Sequence, residues 1–124
     1  MTSKEELSEK TIEAILEGIK RIKGKDITLI DLNTVHHTEC GYFVICHANS
    51  NTQVNAIAHS VEETVKEFTN ETPWHRDGYK NAIWILLDYG DIMVHVFQEE
   101  GRNFYNLEGL WADAKITKIE AYKC

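Results

Sequence analysis

Six histidines and twenty acidic residues give this chain metal-ligating and acid–base side chains in quantity, so their spacing decides what they could do. His36 and His37 are adjacent in a polar stretch that reads as a loop, where neighbouring rings do not converge easily on one ion. His47, His59, His75 and His95 fall in no metal-binding pattern, and no native metal site is expected. Cys40, Cys46 and Cys124 are odd in number and lack zinc or redox spacing. They are expected to be reduced thiols, with Cys46 packing as a small hydrophobe.

Nucleotide chemistry has one foothold. Ala48-Asn49-Ser50 follows an expected strand and opens an expected helix, whose first N–H groups could hold an anion. No glycine-rich loop, P-loop lysine or nearby carboxylate pair suited to magnesium accompanies it. Asp88 and Asp91 read as a hairpin-turn pair. His95 interrupts an aliphatic strand, and as a general base it would need a nucleophile and an orienting acid. The two aspartates lie roughly 10 Å or more away along the strands. Two readings of His95 stand side by side: a core histidine hydrogen-bonded to a neighbour, and a polar ring that orients a bound partner. An enzyme, either a residual nucleotidyltransferase or a metal-dependent hydrolase, would rest on Ser50, Asp88, Asp91 and His95. The expectation is a protein without catalytic residues or cofactor.

The elements that position these side chains follow from hydrophobic period. Ser3 with Glu6 forms a capping box, and Leu7, Ile12, Ile15, Ile19 and Ile22 recur at helical spacing up to Gly24, which predicts a helix over 4–23. Residues 27–32 and 42–46 are short β-branched or aromatic runs and predict strands. A second box, Ser50 with Gln53, opens a helix carrying Val54, Ile57, Ala58, Val61, Val65 and Phe68. The polar stretch 69–80 holds the only proline, Pro73, and reads as a connection.

The apolar runs 83–87 and 92–97 then flank a turn, and a Tyr89-Gly90 loop sets the predicted register: Asp88 opposite Asp91, Leu86 opposite Met93, Trp84 opposite His95. Trp84, Leu86, Met93, His95 and Phe97 thereby share one side, while Ile83, Ile85, Leu87, Ile92, Val94 and Val96 make the other purely aliphatic, as for a face under helices. Residues 102–112 suggest a short helix with Phe104, Leu107 and Trp111 on one stripe and Tyr105 and Glu108 beside it. The tail 115–122 suggests an edge strand. The fold expected is α/β, a mixed four- to five-stranded sheet with helices mainly on one face and the other face available.

At 124 residues and 43% hydrophobic content, the chain is expected to form one domain over 1–124. No apolar run approaches the roughly 20 residues that span a bilayer, and the charged N-terminus has no signal core, so a cytoplasmic protein free of membrane contact is expected. The net charge is −7, and within 81–113 six acids face Arg102 alone, a segment that would repel phosphate backbones and suit a basic protein surface instead. Tyr105 and Glu108, three apart, could cover apolar surface and accept a lysine or arginine together. The candidate partner-binding residues are Trp84, Leu86, Asp88, Met93, His95, Arg102, Tyr105 and Glu108.

The run D-Y-G-D-I-M-V-H-V-F from Asp88, followed by R-N-F-Y-N-L-E-G-L-W from Arg102, resembles the ribosomal silencing factor family, also called RsfS or Iojap. Asp31-Leu32, Y-F-V-I-C from Tyr42, S-N-T-Q-V from Ser50 and Trp84 support the resemblance, which covers nearly the whole chain. It implies a nucleotidyltransferase-like fold lacking the catalytic parts. It also implies binding to large-subunit ribosomal protein fourteen, with little direct rRNA contact, so that the small subunit cannot join and translation slows in starvation. By position, Trp84, His95, Tyr105 and Glu108 match the family's hairpin and F-Y-x-L-E-x-L-W segment. Trp84 is then the expected anchor, with Glu108 and Asp88 facing basic residues of the partner. Three positions depart from the family pattern: Gly41 where many members have an acid, Asp77-Gly78 for Glu-Gly, and Ala48 for glycine. A homodimer using the same face is compatible with this role only if ribosome binding displaces the second copy.

Overall fold

The computed structural model describes residues 4–33 and 40–119. Ser3, His36, His37, Cys124 and the end of the expected tail strand lie outside them. Helix α1 (Lys4–Arg21) buries Ile12, Ala14, Ile15 and Ile19. It stops two residues before the sequence suggests, because Lys23 turns to φ 58° and the Gly24 N–H closes back on the Ile19 carbonyl at 3.0 Å. Strands β1 (Lys25–Asp31) and β2 (Tyr42–Ala48) follow as an antiparallel pair.

Helix α2 (Asn51–Thr69) is capped by Ser50, whose hydroxyl accepts from the Gln53 N–H at 3.2 Å. The Gln53 amide donates to the Ile22 carbonyl at 3.1 Å. That bond ties the start of α2 to the end of α1. No helix among the described residues is long and apolar enough to cross a membrane.

The sheet has six strands, ordered β3-β4-β5-β2-β1-β6, with β2 and β5 parallel and the other pairs antiparallel. This exceeds the four or five expected, because the stretch read as a plain connection contains β3 (His75–Asp77). Its three residues are all exposed and have no hydrophobic alternation, so only pairing with β4 (Trp84–Asp88) makes them a strand. The other edge is β6 (Lys115–Lys118), where the tail strand was expected. Both long helices cover one face, and Val54, Ile57, Val61 and Val65 join Ile85, Leu87, Val94 and Val96 in the main core.

The hairpin register differs from the expected one by two residues. The Tyr89 N–H donates to the Ile92 carbonyl at 2.9 Å, so the loop is Gly90-Asp91. Asp88 then stands opposite Met93, Leu86 opposite His95 and Trp84 opposite Phe97, with β5 running Ile92–Gln98. Gly90 takes φ 90°, and its N–H donates to the Asp88 carboxylate at 2.7 Å, which fixes the turn one position later. A slip of two leaves every side chain on its expected face, since strand side chains alternate with period two.

Helices α3 (Glu99–Tyr105) and α4 (Leu107–Leu110) replace the single short helix, because Asn106 between them adopts φ 47°. The expected stripe is therefore broken. Phe104 is 81% exposed, whereas Leu107 and Trp111 pack with Ile30, Leu32, Ile45 and Phe97 in a second core on the face away from α1 and α2.

Candidate protein-docking face

The second sheet face carries a row of rings on strands and ends in the α3–α4 segment. Trp84 is half-buried there. Its indole stacks on Phe97 (centroids 4.8 Å, 26° between planes), meets Tyr105 at 4.8 Å, and donates from Nε1 to His95 Nδ1 at 3.1 Å. Beyond His95, Phe43 approaches edge-on at 4.6 Å, and Trp111 meets Phe43 at 6.0 Å. The row Tyr105, Trp84, His95, Phe43, Trp111 thus crosses three elements held in one sheet register and one clasp. Glycine is required behind it: Gly78 has φ 91°, and a Cβ there would stand 2.0 Å from the Trp84 carbonyl oxygen.

His95 is 4% exposed, which matches the core-histidine reading and not an open polar ring between Trp84 and Met93. Because Nδ1 accepts from the indole, the ring proton belongs on Nε2, and Nε2 meets no partner among the described residues. Burial lowers its pKa to about 4, so the ring is neutral at pH 7. Leu86, Met93 and Asp88 lie on the same face and are half-buried. Asp88 spends one oxygen on the Gly90 turn.

Arg102 and Glu108 are placed differently from the expectation of a charged contact. Arg102 is 6% exposed, and its guanidinium is consumed inside the protein. It grips both oxygens of Glu108 at 3.0 and 3.1 Å, and reaches the Asp26 carbonyl at 2.7 Å, Thr28 Oγ1 at 2.9 Å and His47 Nδ1 at 2.9 Å. Lys118 adds a second cation 3.3 Å from Glu108. The Arg102 hydrogen bonds hold the Glu108 carboxyl below the usual carboxylate range. Burial, then the Arg102 charge, lowers the pKa of His47. This buried fork fastens α3 and α4 onto β1, β2 and β6, so Arg102 and Glu108 position Tyr105 and Trp111. Tyr105 and Glu108 do not act side by side: the tyrosine packs on Trp84 and the glutamate on Arg102.

Phe43 and Trp111 belong to the row but were not among the expected contact residues. The alternation of Y-F-V-I-C puts Phe43 and Ile45 together opposite Val44 and Cys46, and the parallel register sets Phe43 beside Met93 and Ile45 beside His95. Next to Tyr105, Phe104 meets its ring edge-on at 5.1 Å and is 81% exposed.

No group of three or more histidine, cysteine or acidic side chains among the described residues could hold a metal. The Ser50 hydroxyl already occupies the Gln53 N–H at the start of α2, and Asp88 and Asp91 accept from Gly90 and Ser8. Cys46 is fully buried, and burial pushes its thiol pKa up to about 12, far from a nucleophile's.

Residues 5–123 match the family model described as ribosomal silencing factor during starvation. The chain is 46% identical over 79 residues to ribosomal silencing factor RsfS of Halalkalibacterium halodurans, covering 64% of this chain and 67% of that one. It is 37% identical over 98 residues to RsfS of Bacillus subtilis, covering 79% and 81%. A crystal structure of a Chromobacterium violaceum protein superposes with a TM-score of 0.75 at 32% identity, covering 98% of each chain.

Proposed function

We propose that this chain, which belongs to the RsfS family of ribosomal silencing factors, lays its aromatic face against large-subunit ribosomal protein fourteen and so keeps the small subunit from joining. Silencing by occlusion needs a rigid surface and no chemistry. The observation that carries this reading is the Tyr105–Trp84–His95–Phe43–Trp111 row, half open to solvent across the strands, with both end residues carried by the helices that the Arg102–Glu108 fork fastens down.

Such a row is suited to protein contact. Ring faces and edges offer large apolar area with little side-chain freedom to lose, and Trp84 already has its indole N–H satisfied by His95. Docking therefore does not strand a buried donor. The acids around it, Glu99 and Glu100 in the first turn of α3 and half-buried Asp88, favour a basic protein neighbour over a phosphate backbone. Glu108 contributes by holding Arg102, not by reaching outward.

Purified protein mixed with separated ribosomal subunits and run on a sucrose gradient tests this. It is expected to travel with the large subunit, and to stop doing so when the surface of protein fourteen is altered or Tyr105 is replaced by alanine. Protein that stays at the top of the gradient, or that follows the small subunit, would overturn the proposal.

A further inference from the structure

The Arg102–Glu108 fork ends on a titratable ring. His47 lies near the end of β2 with 6% of its side chain exposed, and the Arg102 guanidinium stands 2.9 Å from its Nδ1. A guanidinium only donates, so Nδ1 keeps its lone pair and the ring proton sits on Nε2. The ring is therefore neutral wherever the fork is closed. A second proton would go onto Nδ1, the atom that Arg102 holds, and would set two donors and two positive charges face to face in a buried space.

The surrounding charges do not remove this conflict. Among the described residues, those that face the ring are Lys25 and Asp26 on β1 and Glu99 and Arg102 on α3. Glu108 of α4 and Lys118 of β6 line the same cavity of about 280 Å³, and β5 sets the uncharged Phe97 beside the ring. Nε2 lies 3.5 Å from Glu99 and 3.9 Å from Asp26, but these side chains are 58% and 77% exposed and attract through water. Arg102 is buried and in contact. Burial and then the Arg102 charge lower the pKa of the ring, in line with that balance. Lys118 is 3.3 Å from Glu108, so the carboxylate keeps a cation if Arg102 leaves.

We propose that His47 is an acid-operated release for the α3–α4 segment: when its ring takes a second proton, Arg102 is expelled from the fork, and Tyr105 and Trp111 lose the positions that fix the ends of the aromatic row. As regulation of the docking face this rests on the function proposed above, whereas the release itself is a property of the isolated protein. Linkage gives the direction. The closed fork binds one proton fewer than the open one, so it holds above the ordinary histidine pKa of about 6.5 and opens progressively as the pH falls below it. The balance shifts by up to about tenfold for each pH unit.

NMR spectra of the full chain between pH 7.5 and 5 test this, following the His47 ring, the Arg102 Nε–H and the Trp111 indole N–H. The Arg102 signal is expected to move towards that of free arginine together with the Trp111 signal and the His47 ring, at one midpoint below 6.5. Hydrogen-exchange protection of the Asn106 amide, which bonds to the Arg102 carbonyl, should fall about tenfold. His47→Asn, whose amide oxygen can take the Arg102 bond without titrating, should abolish the movement, and His95→Asn should leave it in place. In sucrose gradients, the ratio of large-subunit binding at pH 7.5 to that at pH 5.5 should be about tenfold in the parent and near one in His47→Asn. An Arg102 signal unmoved down to pH 5, the same movement in His47→Asn, or parent binding equally well at both pH values would overturn the release as a regulator. Failure to bind at pH 7.5 would strike the docking proposal instead, since the spectra judge the release on the protein alone.

Discussion

Acidification should weaken this protein chiefly through the buried ring of His95, with His47 adding to the loss in the same direction, and the size of the His95 effect follows from its geometry. His95 is almost wholly enclosed, accepts from Trp84 at Nδ1 and offers no charged partner to a second proton. Its pKa of about 4 lies below the 6.5 of an exposed histidine, so the unfolded chain binds a proton that the folded chain refuses. The sign is therefore fixed. Nothing is lost above pH 6.5, stability falls as pH drops from 6.5 towards 4, and the decline from this group levels off below 4. With 1.36 kcal/mol per unit, the loss is about 2 kcal/mol at pH 5 and about 3 kcal/mol at pH 4.

Urea unfolding followed by tryptophan fluorescence at pH 7 and pH 5 measures it, with His95→Asn as reference because the asparagine oxygen can stand where Nδ1 accepts without titrating. Carboxylates contribute equally to both proteins and cancel. The stability gap between them should shift by about 2 kcal/mol in the variant's favour at pH 5. A gap constant within about 0.5 kcal/mol would refute the picture of a buried neutral histidine.

Other outcomes follow from the same structure. Arg102→Met should cost about 3 kcal/mol in denaturant titration, because it leaves the Asp26 carbonyl without its donor and Glu108 and Thr28 with the Lys118 ammonium alone; a loss below about 1 kcal/mol would contradict the fork as a structural clasp. Gly78→Ala should destabilise by about 2 kcal/mol or more, seen as a lowered melting temperature, since it combines a positive φ with a Cβ on the Trp84 carbonyl. Tyr105→Ala should leave the fold intact, its ring being 47% exposed, yet weaken large-subunit association about tenfold; Trp84→Ala should weaken it about thirtyfold or more. Unchanged cosedimentation of either folded variant would remove that residue from the contact.

The long elements were legible because their hydrophobic period is strong: Ile12, Ile15 and Ile19 in α1, Val54, Ile57, Val61 and Val65 in α2, and Ile85, Leu87, Ile92, Val94 and Val96 of the hairpin fall where the pattern puts them, whereas Ile83, expected under the helices, is 48% exposed. The register was not, because Gly90 serves equally well at the second position of one two-residue loop or the first of another. Its choice rests on the Asp88 side-chain bond. Strand β3 has no pattern of its own, and Asn106 at φ 47° divided a helix that propensity alone would continue.

The aromatic side of the sheet was readable from alternation, which survives a two-residue slip. What lies buried on it was not. Arg102, the lone base among six acids in 81–113, reads as surface charge but is the hub of an internal network. Glu108 read as an outward hand for the same reason, and proves to be that cation's partner.

Light scattering of separated large and small subunits, mixed at joining magnesium concentrations with and without one equivalent of this protein, tests occlusion most directly. Pre-incubation with the large subunit should sharply reduce the formation of joined ribosomes, and Tyr105→Ala should restore it. Joining that proceeds unhindered while the protein remains bound to the large subunit would contradict steric silencing by this face.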